Sequence, residues 1–210
     1  MTLKNLTLWL TTLALLFLIS GCATMNASEC KNADWEMIGF EDGGEGRLPT
    51  YLGDHRQACA EYNITPDMNA YLRGHANGVR QFCTELNGFA LGEKGLGYNG
   101  VCPPELEGLF LSGYRVGQEF YDLSRIMDKL ESNIKSDRNK KRRWKDKIEE
   151  MEDRLVQGKN SKIERKNLLD EIREYQRKIG HLEQKIKYSE RDIAVKQYEY
   201  EQLSLKYDRY

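Results

Sequence analysis

Three acidic side chains in a glycine-rich stretch are the residues best suited to acid–base chemistry. Glu41, Asp42 and Glu45 fall in a loop predicted for residues 39–46, and a pair of neighbouring carboxylates can exchange protons with a substrate. An Asp-Gly pair is equally typical of a turn, and no helix-borne base or metal-ligand pattern accompanies the acids. We therefore expect no catalytic residue and no enzyme activity.

Aromatic rings near these acids offer a second kind of site. Trp35 and Tyr98 could join Asp42 and Glu45 in a head-surface site that binds carbohydrate, since rings and hydrogen-bonding acids together can hold a polar ligand. Core packing is the favoured alternative for Trp35, because large aromatic side chains are usually well buried.

The most pronounced local charge feature is a run of basic residues between Arg138 and Lys147. A run of this kind attracts anions, although a solvated face with helical ion pairs is an equally good interpretation. Lys141 lies within the run but falls on a predicted core position. We call the candidate anion-binding set the basic belt; it comprises Arg138, Lys140, Arg142, Arg143, Lys145, Lys147, Arg177 and Lys178.

Four cysteines, Cys30, Cys59, Cys83 and Cys102, lie in a stretch of fewer than 80 residues. An even number in an exported segment indicates two disulfides. The chain contains no C-x-x-C, so we expect no metal and no cofactor.

Helix geometry ranks the three ways of pairing these cysteines. Residues 49–62 and 66–83 are predicted to form a helical hairpin, with Thr65 as the N-cap of the second helix. Cys59 then lies near the loop, and Cys83 lies about 24 Å away along the second helix. Bridged Cα atoms must be within about 7 Å. The sequence therefore predicts Cys30–Cys59 and Cys83–Cys102.

The first 22 residues indicate export. Lys4 precedes an apolar stretch that is short for a membrane-spanning helix, as in a secretory signal peptide. Ile19-Ser20-Gly21-Cys22 resembles the lipobox of bacterial lipoproteins. That resemblance implies cleavage after residue 21, acylation of Cys22 and, with Ala23 next, attachment to the outer membrane facing the periplasm.

Charge and glycine divide the mature chain into two parts. Residues 22–119 carry 7 Lys/Arg and 14 Asp/Glu, whereas residues 120–210 carry 24 and 19. With 31% charged residues, a polytopic membrane protein is excluded. We expect a signal peptide over residues 1–21, a lipidated tether over 22–29, a head over 30–119 and a coil over 120–210.

Two head segments share a glycine pattern at an offset of 39 residues. Gly74-x-x-x-Gly78 and Gly113-x-x-x-Gly117 are each flanked by aromatic residues. Glycine inside a helix costs about 1 kcal/mol relative to alanine, so close approach of another helix is the expected reason. We predict that these two helices pack against each other; a groove for a partner helix is the alternative.

Heptads are continuous from Phe120 and break only at residues 157–161. Such a long apolar repeat indicates a coiled coil. If the two arms run antiparallel, facing residues have numbers that add to 319 or 320, as Trp144 and Tyr175 or Phe120 and Tyr200 do. Every polar core residue then faces an apolar one, which favours a hairpin over a parallel oligomer.

At family level the head resembles a group of small bacterial lipoproteins catalogued only as a domain of unknown function. The resemblance implies an exported, disulfide-stapled helical head, and it implies no activity. The coil is an extension that many members of that group lack. The motifs that carry the resemblance are Trp35-x-x-x-Gly39-x-x-Asp42-Gly43, Tyr71-x-x-Gly74-x-x-x-Gly78-x-x-x-Phe82-Cys83 and Val101-Cys102-Pro103.

These observations together predict an all-α lipoprotein with a small disulfide-stapled helical head and a long antiparallel coiled-coil hairpin. We expect a non-catalytic periplasmic scaffold or protein-interaction module. A binder of peptidoglycan or another anionic envelope polymer is the first alternative, and a head-domain enzyme or enzyme inhibitor is the second. Expected partners are the membrane, through the lipid, and an envelope protein or anionic polymer. Self-association through the coil is also expected, and nucleic acid is not.

Overall fold

The computed structural model describes residues 25–207, and all regular elements in that range are helical. The all-α class expected from the sequence is confirmed. The signal peptide and Cys22 lie outside the described residues. The helices are α1 (Ala27–Lys31), α2 (Trp35–Gly44), α3 (Leu52–Ala60, entered through a 3-10 turn at Pro49–Tyr51), α4 (Met68–Phe82), α5 (Glu85–Glu93), α6 (Pro104–Val156) and α7 (Lys162–Lys206).

Side-chain caps determine where the short helices begin. Asp34 accepts hydrogen bonds from the amides of the first turn of α2, and Asp67 does the same for α4. These bonds satisfy amides that lack a helical partner. The N-cap of α4 is thus Asp67 and not Thr65, because the Asp67 carboxylate accepts from the amides of both Asn69 (2.9 Å) and Ala70 (3.0 Å).

Helix α2 occupies most of the stretch that the sequence analysis treated as a loop. Gly39 and Gly43 lie inside it, and they face Gly74 and Gly78 of α4. A methyl group added at any of the four would collide with a backbone carbonyl oxygen of the other helix. The low helix propensity of glycine is outweighed here by the close approach of two backbones.

A second crossing of the same kind joins α5 to α6. A methyl group on Gly92 would meet the Tyr114 carbonyl oxygen, and one on Gly117 would meet the Phe89 carbonyl oxygen. The prediction that the two Gly-x-x-x-Gly helices pack on each other is therefore wrong for these glycines. Each helix packs instead on a second helix that carries its own glycine pair.

Two disulfides connect the short helices. Cys30 of α1 bonds to Cys59 of α3, and Cys83, just after α4, bonds to Cys102. The Cα atoms are 5.6 Å and 5.7 Å apart, which suits a disulfide. This pairing is the one that the helix geometry predicted.

Helices α6 and α7 form the antiparallel hairpin in the predicted register. The rings of Trp144 and Tyr175 lie 6.2 Å apart, and those of Phe120 and Tyr200 lie 4.9 Å apart. Near the turn, Met151, Leu168 and Ile172 form a buried cluster. The predicted pairs 120/200, 144/175 and 151/168, whose numbers add to 319 or 320, therefore meet as expected.

The hairpin turn is built from glycine and a capping box. Gly158 has a φ of +69°, a conformation that glycine adopts without strain. Ser161 caps α7 by accepting from the Glu164 amide, while the Ser161 amide donates to the Glu164 carboxylate at 2.7 Å. That bond lowers the pKa of Glu164. The turn lies within the predicted range of residues 157–161.

Two compact units make up the described chain. One holds residues 25–87 and Tyr98–Leu111, and the other holds Gly88–Gly97 and residues 112–207. The composition of the chain changes near residue 119. The units do not divide the sequence at that single position, since residues 88–97 belong to the same unit as the coil. Within residues 25–207, none of the helices has the length and apolar character needed to cross a bilayer.

Candidate functional site

Residues 35–121 contain two copies of one glycine-based helix pair. The first helix of each pair and the turn after it carry three glycines at the same spacing. These are residues 39, 43 and 46 for α2 and residues 88, 92 and 95 for α5, an offset of 49. The second helices of the two pairs, α4 and the first part of α6, have matching residues at the offset of 39 that the sequence analysis noted. The offset of 49 was missed because residues 39–46 were interpreted as a loop.

The turn after the first helix is the same in both copies. Gly46 and Gly95 have φ angles of +74° and +67°, a region that side chains other than glycine rarely enter. An aromatic ring covers each glycine: Phe82 covers Gly46, and Tyr121 covers Gly95, so closely that a methyl group would collide with it.

The hydrogen bonds that close this turn also repeat. The Arg47 amide donates to the Asp42 carbonyl at 2.9 Å, and the Leu96 amide donates to the Leu91 carbonyl at 3.2 Å. These residues are again 49 positions apart. The two copies therefore agree in backbone hydrogen bonding as well as in glycine spacing.

A side chain from the second helix caps the turn in each copy. His75 Nε2 lies 2.7 Å from the Arg47 carbonyl oxygen and donates to it, and the Tyr114 hydroxyl donates to the Leu96 carbonyl oxygen at 2.8 Å. The hydrogen bond is kept although the residue type changes. We infer that the two helix pairs are duplicates of one motif.

Two of the differences between the copies replace a polar residue by an apolar one. Asp42 in the first copy corresponds to Leu91 in the second, and Tyr71 corresponds to Phe110. The first copy thus holds polar groups where the second holds apolar ones. Since the second copy forms the same turn without them, the glycine-based helix pair does not require these polar groups.

The polar groups of the first copy form one buried network. Asp42 Oδ2 lies 2.8 Å from His55 Nε2 and 2.8 Å from the Tyr71 hydroxyl, and its Oδ1 accepts from Arg47 Nη1 at 3.0 Å. Asp42 is 5% exposed, His55 6% and Tyr71 0%. We call these four residues the Asp42 network.

An insertion supplies the histidine of this network. The first copy has ten more residues than the second between the turn glycine and the equivalent positions Tyr71 and Phe110 of the second helix, and α3 lies in that stretch. His55 on α3 faces Asp42, and Cys59 on the same helix is held to α1 by its disulfide. The disulfide therefore holds the helix that completes the network.

Burial controls the chemistry of the Asp42 network. Burial, and then the hydrogen bond to Asp42, raises the pKa of the Tyr71 hydroxyl, so Tyr71 is a neutral donor. His55 Nδ1 is buried and has no hydrogen-bond partner in the described part of the chain. Because its members Asp42, His55 and Tyr71 are almost fully enclosed, the network is a polar core and presents no carboxylate or imidazole to a substrate.

The candidate head-surface residues do not share one exposed face. Trp35 is buried, in the cluster around Cys30 and Cys59, and Asp42 is buried in the network. Glu45 is exposed and forms an ion pair with Arg47. Tyr98 is half-buried; its hydroxyl donates to Glu107 and accepts from the Cys102 amide, and burial raises its pKa. Sequence reasoning missed His55, Tyr71 and Arg47, which only the fold brings to Asp42.

The comparison with protein families bears on this duplicated segment. The model of a family described as "Protein of unknown function (DUF2799)" matches residues 34–119. This segment is similar to DUF2799 domains. The resemblance noted in the sequence is thereby confirmed at family level, and nearly all of both glycine-based helix pairs lies inside the match. Neither the curated proteins nor the solved structures include a match to the chain.

Most of the hairpin lies beyond the segment that matches this family, and with it the basic belt. All eight belt residues are exposed. Two of them have acidic partners, Arg138 with Glu190 of the facing helix at 2.7 Å and Lys178 with Glu174. Ion pairs thus neutralise only part of the belt.

The remaining belt cations form no ion pair with a carboxylate in the described part of the chain. Arg142, Arg143, Lys145 and Arg177 have no ion pair within residues 25–207. They are exposed on two rigid helices, where an anion could contact several of them at once. Exposed ion pairs are worth little in any case, so the unpaired cations are the ones available to a partner.

Two aromatic rings lie among these cations. Trp144 and Tyr175 are half-buried and contact each other across the hairpin. Lys140 lies 5.1 Å from the Trp144 ring centre, and Lys147 and Lys178 lie 5.6 Å and 5.3 Å from that of Tyr175. Cation–π contacts of this kind hold ammonium groups in place. In the part of the chain that the structure describes, no cluster of His, Cys, Asp or Glu could hold a metal ion.

Proposed function

We propose that this protein is a non-catalytic outer-membrane lipoprotein whose coil binds other components of the periplasm, as a scaffold or protein-interaction module. The observation that carries the proposal is the set of unpaired, exposed cations on a rigid helical hairpin outside the segment that matches the DUF2799 family. A rigid helical hairpin with exposed positive charge is suited to contact an anionic partner.

The lipid anchor rests on the lipobox-like Ile19-Ser20-Gly21-Cys22. Two or more acyl chains hold a protein stably on a bilayer, whereas one chain does so only marginally. The short tether over residues 22–29 would then separate the acylated Cys22 from the head. Ala23 after the modified cysteine favours the outer membrane, with the coil in the periplasm.

The enclosed Asp42 network supports a non-catalytic role. A general base must reach within hydrogen-bond distance of the proton that it removes, and Asp42 and His55 are both more than 90% buried. A head-domain enzyme would need this network to open.

A second candidate function is the binding of peptidoglycan or another anionic envelope polymer. The specific observation in its favour is that the unpaired cations flank the half-buried Trp144–Tyr175 pair. Ring faces and cations together suit a chain that alternates sugar and carboxylate groups. Such binding would be weakened by salt, because exposed charges are screened.

Photo-crosslinking in cells tests the proposal. A photoreactive amino acid replaces Asp146, which is exposed within the belt, so that no belt cation is lost. The matched control replaces Lys166, which is exposed near the turn. We expect a discrete adduct from position 146 that position 166 does not form. A protein adduct supports the scaffold role, and a glycan adduct supports the second candidate. Equal adducts from both positions, or none from either, would overturn the proposal.

A further inference from the structure

The second half of α7 is apolar on two faces and buries neither. Five residues of the first half, between Leu168 and Ile186, are buried, whereas residues 187–206 contain none. On the face towards α6, Ile193, Tyr200 and Leu203 are only half-buried. A helix with apolar residues on opposite faces is usually covered on both.

The opposite face of this half-helix carries four exposed apolar residues. Tyr188 is 60% exposed, Val195 49%, Tyr198 62% and Leu205 73%. We call them the outer stripe. Their spacings of seven, three and seven residues are those of a coiled-coil seam, and the stripe extends over about 26 Å of helix.

The outer stripe is separate from the seam of the hairpin. Tyr188 and Val195 follow the seam residues Ile186 and Ile193 by two positions, and Tyr198 follows Ile193 by five. At 100° per residue these offsets are about 200° and 140°, so the stripe faces away from α6. It therefore offers a second seam with no partner among residues 25–207.

The order of residues along the stripe is self-complementary in the antiparallel direction. Reversing a second copy so that residue numbers add to 393 places Tyr188 against Leu205 and Val195 against Tyr198. The two polar residues that complete the heptads, Arg191 and Gln202, then meet each other. A parallel pair would instead place Arg191 on Arg191, with repulsion between the guanidinium groups.

Two acidic residues lie beside the stripe where the copies would meet. In this register Asp192 of one copy lies nearest Glu199 of the other. The ion pair of Glu199 with Lys196 of its own helix, at 2.7 Å, reduces their repulsion.

We propose that the outer stripe binds the outer stripe of a second copy of this chain, with the two α7 helices antiparallel. The basic belt lies at residues 138–147 and 177–178, outside the stripe. Loss of self-association and loss of partner binding can therefore be measured separately.

Cysteine crosslinking of the full chain in cell envelopes tests this proposal. Two variants, Tyr188→Cys and Leu205→Cys, are made with tags of different size and produced alone or together, and the envelopes are then oxidised. The native cysteines Cys30, Cys59, Cys83 and Cys102 are already in disulfides. When both variants are present, we expect a mixed dimer that joins position 188 of one copy to position 205 of the other. Each variant alone should crosslink at least tenfold less, since its two copies of the same position lie about 25 Å apart.

A charge variant tests whether the stripe itself makes the contact. Val195→Glu with Tyr198→Glu should lower the yield of the mixed dimer at least tenfold. The matched control, His181→Glu with Gln184→Glu, places the same charge on the same face outside the stripe and should keep the yield. Helicity by circular dichroism checks that both variants fold. Crosslinking of each variant with itself, no mixed dimer, or equal loss in stripe and control variants would overturn the proposal.

Discussion

Asp42 and Leu91 occupy equivalent positions in two copies of the same helical turn. The backbone carbonyl of each accepts the same closing hydrogen bond. The side chain of one is a buried carboxylate with three partners, and that of the other is aliphatic. The duplicated fold therefore accepts either a polar or an apolar residue here, provided that the surrounding residues match.

The match between Asp42 and Tyr71 can be measured. Asp42→Leu leaves the Tyr71 hydroxyl and the His55 imidazole buried without their partner, which should lower the free energy of unfolding by about 3–5 kcal/mol. Adding Tyr71→Phe recreates the Leu91–Phe110 combination and should cost less than the two single changes together. Urea unfolding of the two single variants and the double variant measures the coupling. If the double variant loses as much free energy of unfolding as the two single variants together, Asp42 and Tyr71 are not coupled and the network is not a unit.

Glycines at the α2–α4 crossing should tolerate no side chain. Gly74→Ala places a methyl group on the Glu36 carbonyl oxygen, and we expect loss of most of the stability of the first helix pair. Gly53→Ala, in α3, is the matched control, because nothing lies within 4 Å of its added methyl group. It should raise stability by up to about 1 kcal/mol. Equal behaviour of the two variants in thermal unfolding would contradict the packing described here.

Only part of this arrangement could be predicted from the sequence. The register of the hairpin follows from heptads, because an antiparallel pair must keep a constant sum of residue numbers. Helix α2 could not be recognised in the same way, since its glycines have low helix propensity and form a helix only against α4. The available signal for the Asp42 network was the offset of 49 between the two glycine patterns. That offset places the polar Asp42 where the second copy has the apolar Leu91.

His55 could not be assigned from local sequence at all. It lies on an inserted helix, thirteen residues from Asp42, and neither spacing nor composition connects the two. The contact depends on where the Cys30–Cys59 disulfide and the close α2–α4 packing hold α3. Long-range contacts of this kind are decided by tertiary packing, which a pattern of single residues does not contain.

Alkaline pH should destabilise the first helix pair through Tyr71. Its pKa is raised in the folded state, mainly by burial. The unfolded chain therefore releases this proton from about pH 10 upwards, while the folded protein still holds it. The contribution of Tyr71 to the free energy of unfolding is fully present below that pH. Above it, this free energy should fall by up to about 1.4 kcal/mol per pH unit.

Urea unfolding from about pH 8 to about pH 11 measures this dependence. The range extends from about two units below the usual tyrosine pKa to about one unit above it. Tyr71→Phe should flatten the alkaline slope, although it is less stable at neutral pH. Tyr188→Phe, which changes an exposed tyrosine, should leave the slope as it is. The same slope in the Tyr71→Phe variant would show that another group is responsible.

The anchor can be tested by a single substitution. Cys22→Ser removes the thiol that would be acylated, and we expect the protein to move from the outer-membrane fraction to the soluble periplasm. Cell fractionation followed by detection of the chain measures the change. A variant that stays in the membrane fraction would contradict the lipid anchor.

The central claim is that the basic belt contacts a partner in the envelope, and the adduct formed from position 146 measures it most directly. In the variant Lys140→Gln, Arg142→Gln, Arg143→Gln and Lys145→Gln, we expect the adduct to fall at least fivefold. Helicity should hardly change, since exposed charges contribute well under about 1 kcal/mol each. A control that changes Lys129, Lys159, Lys162 and Lys166 to Gln removes as much charge elsewhere and should keep the adduct. An undiminished adduct in the belt variant, or equal loss in both variants, would contradict the claim.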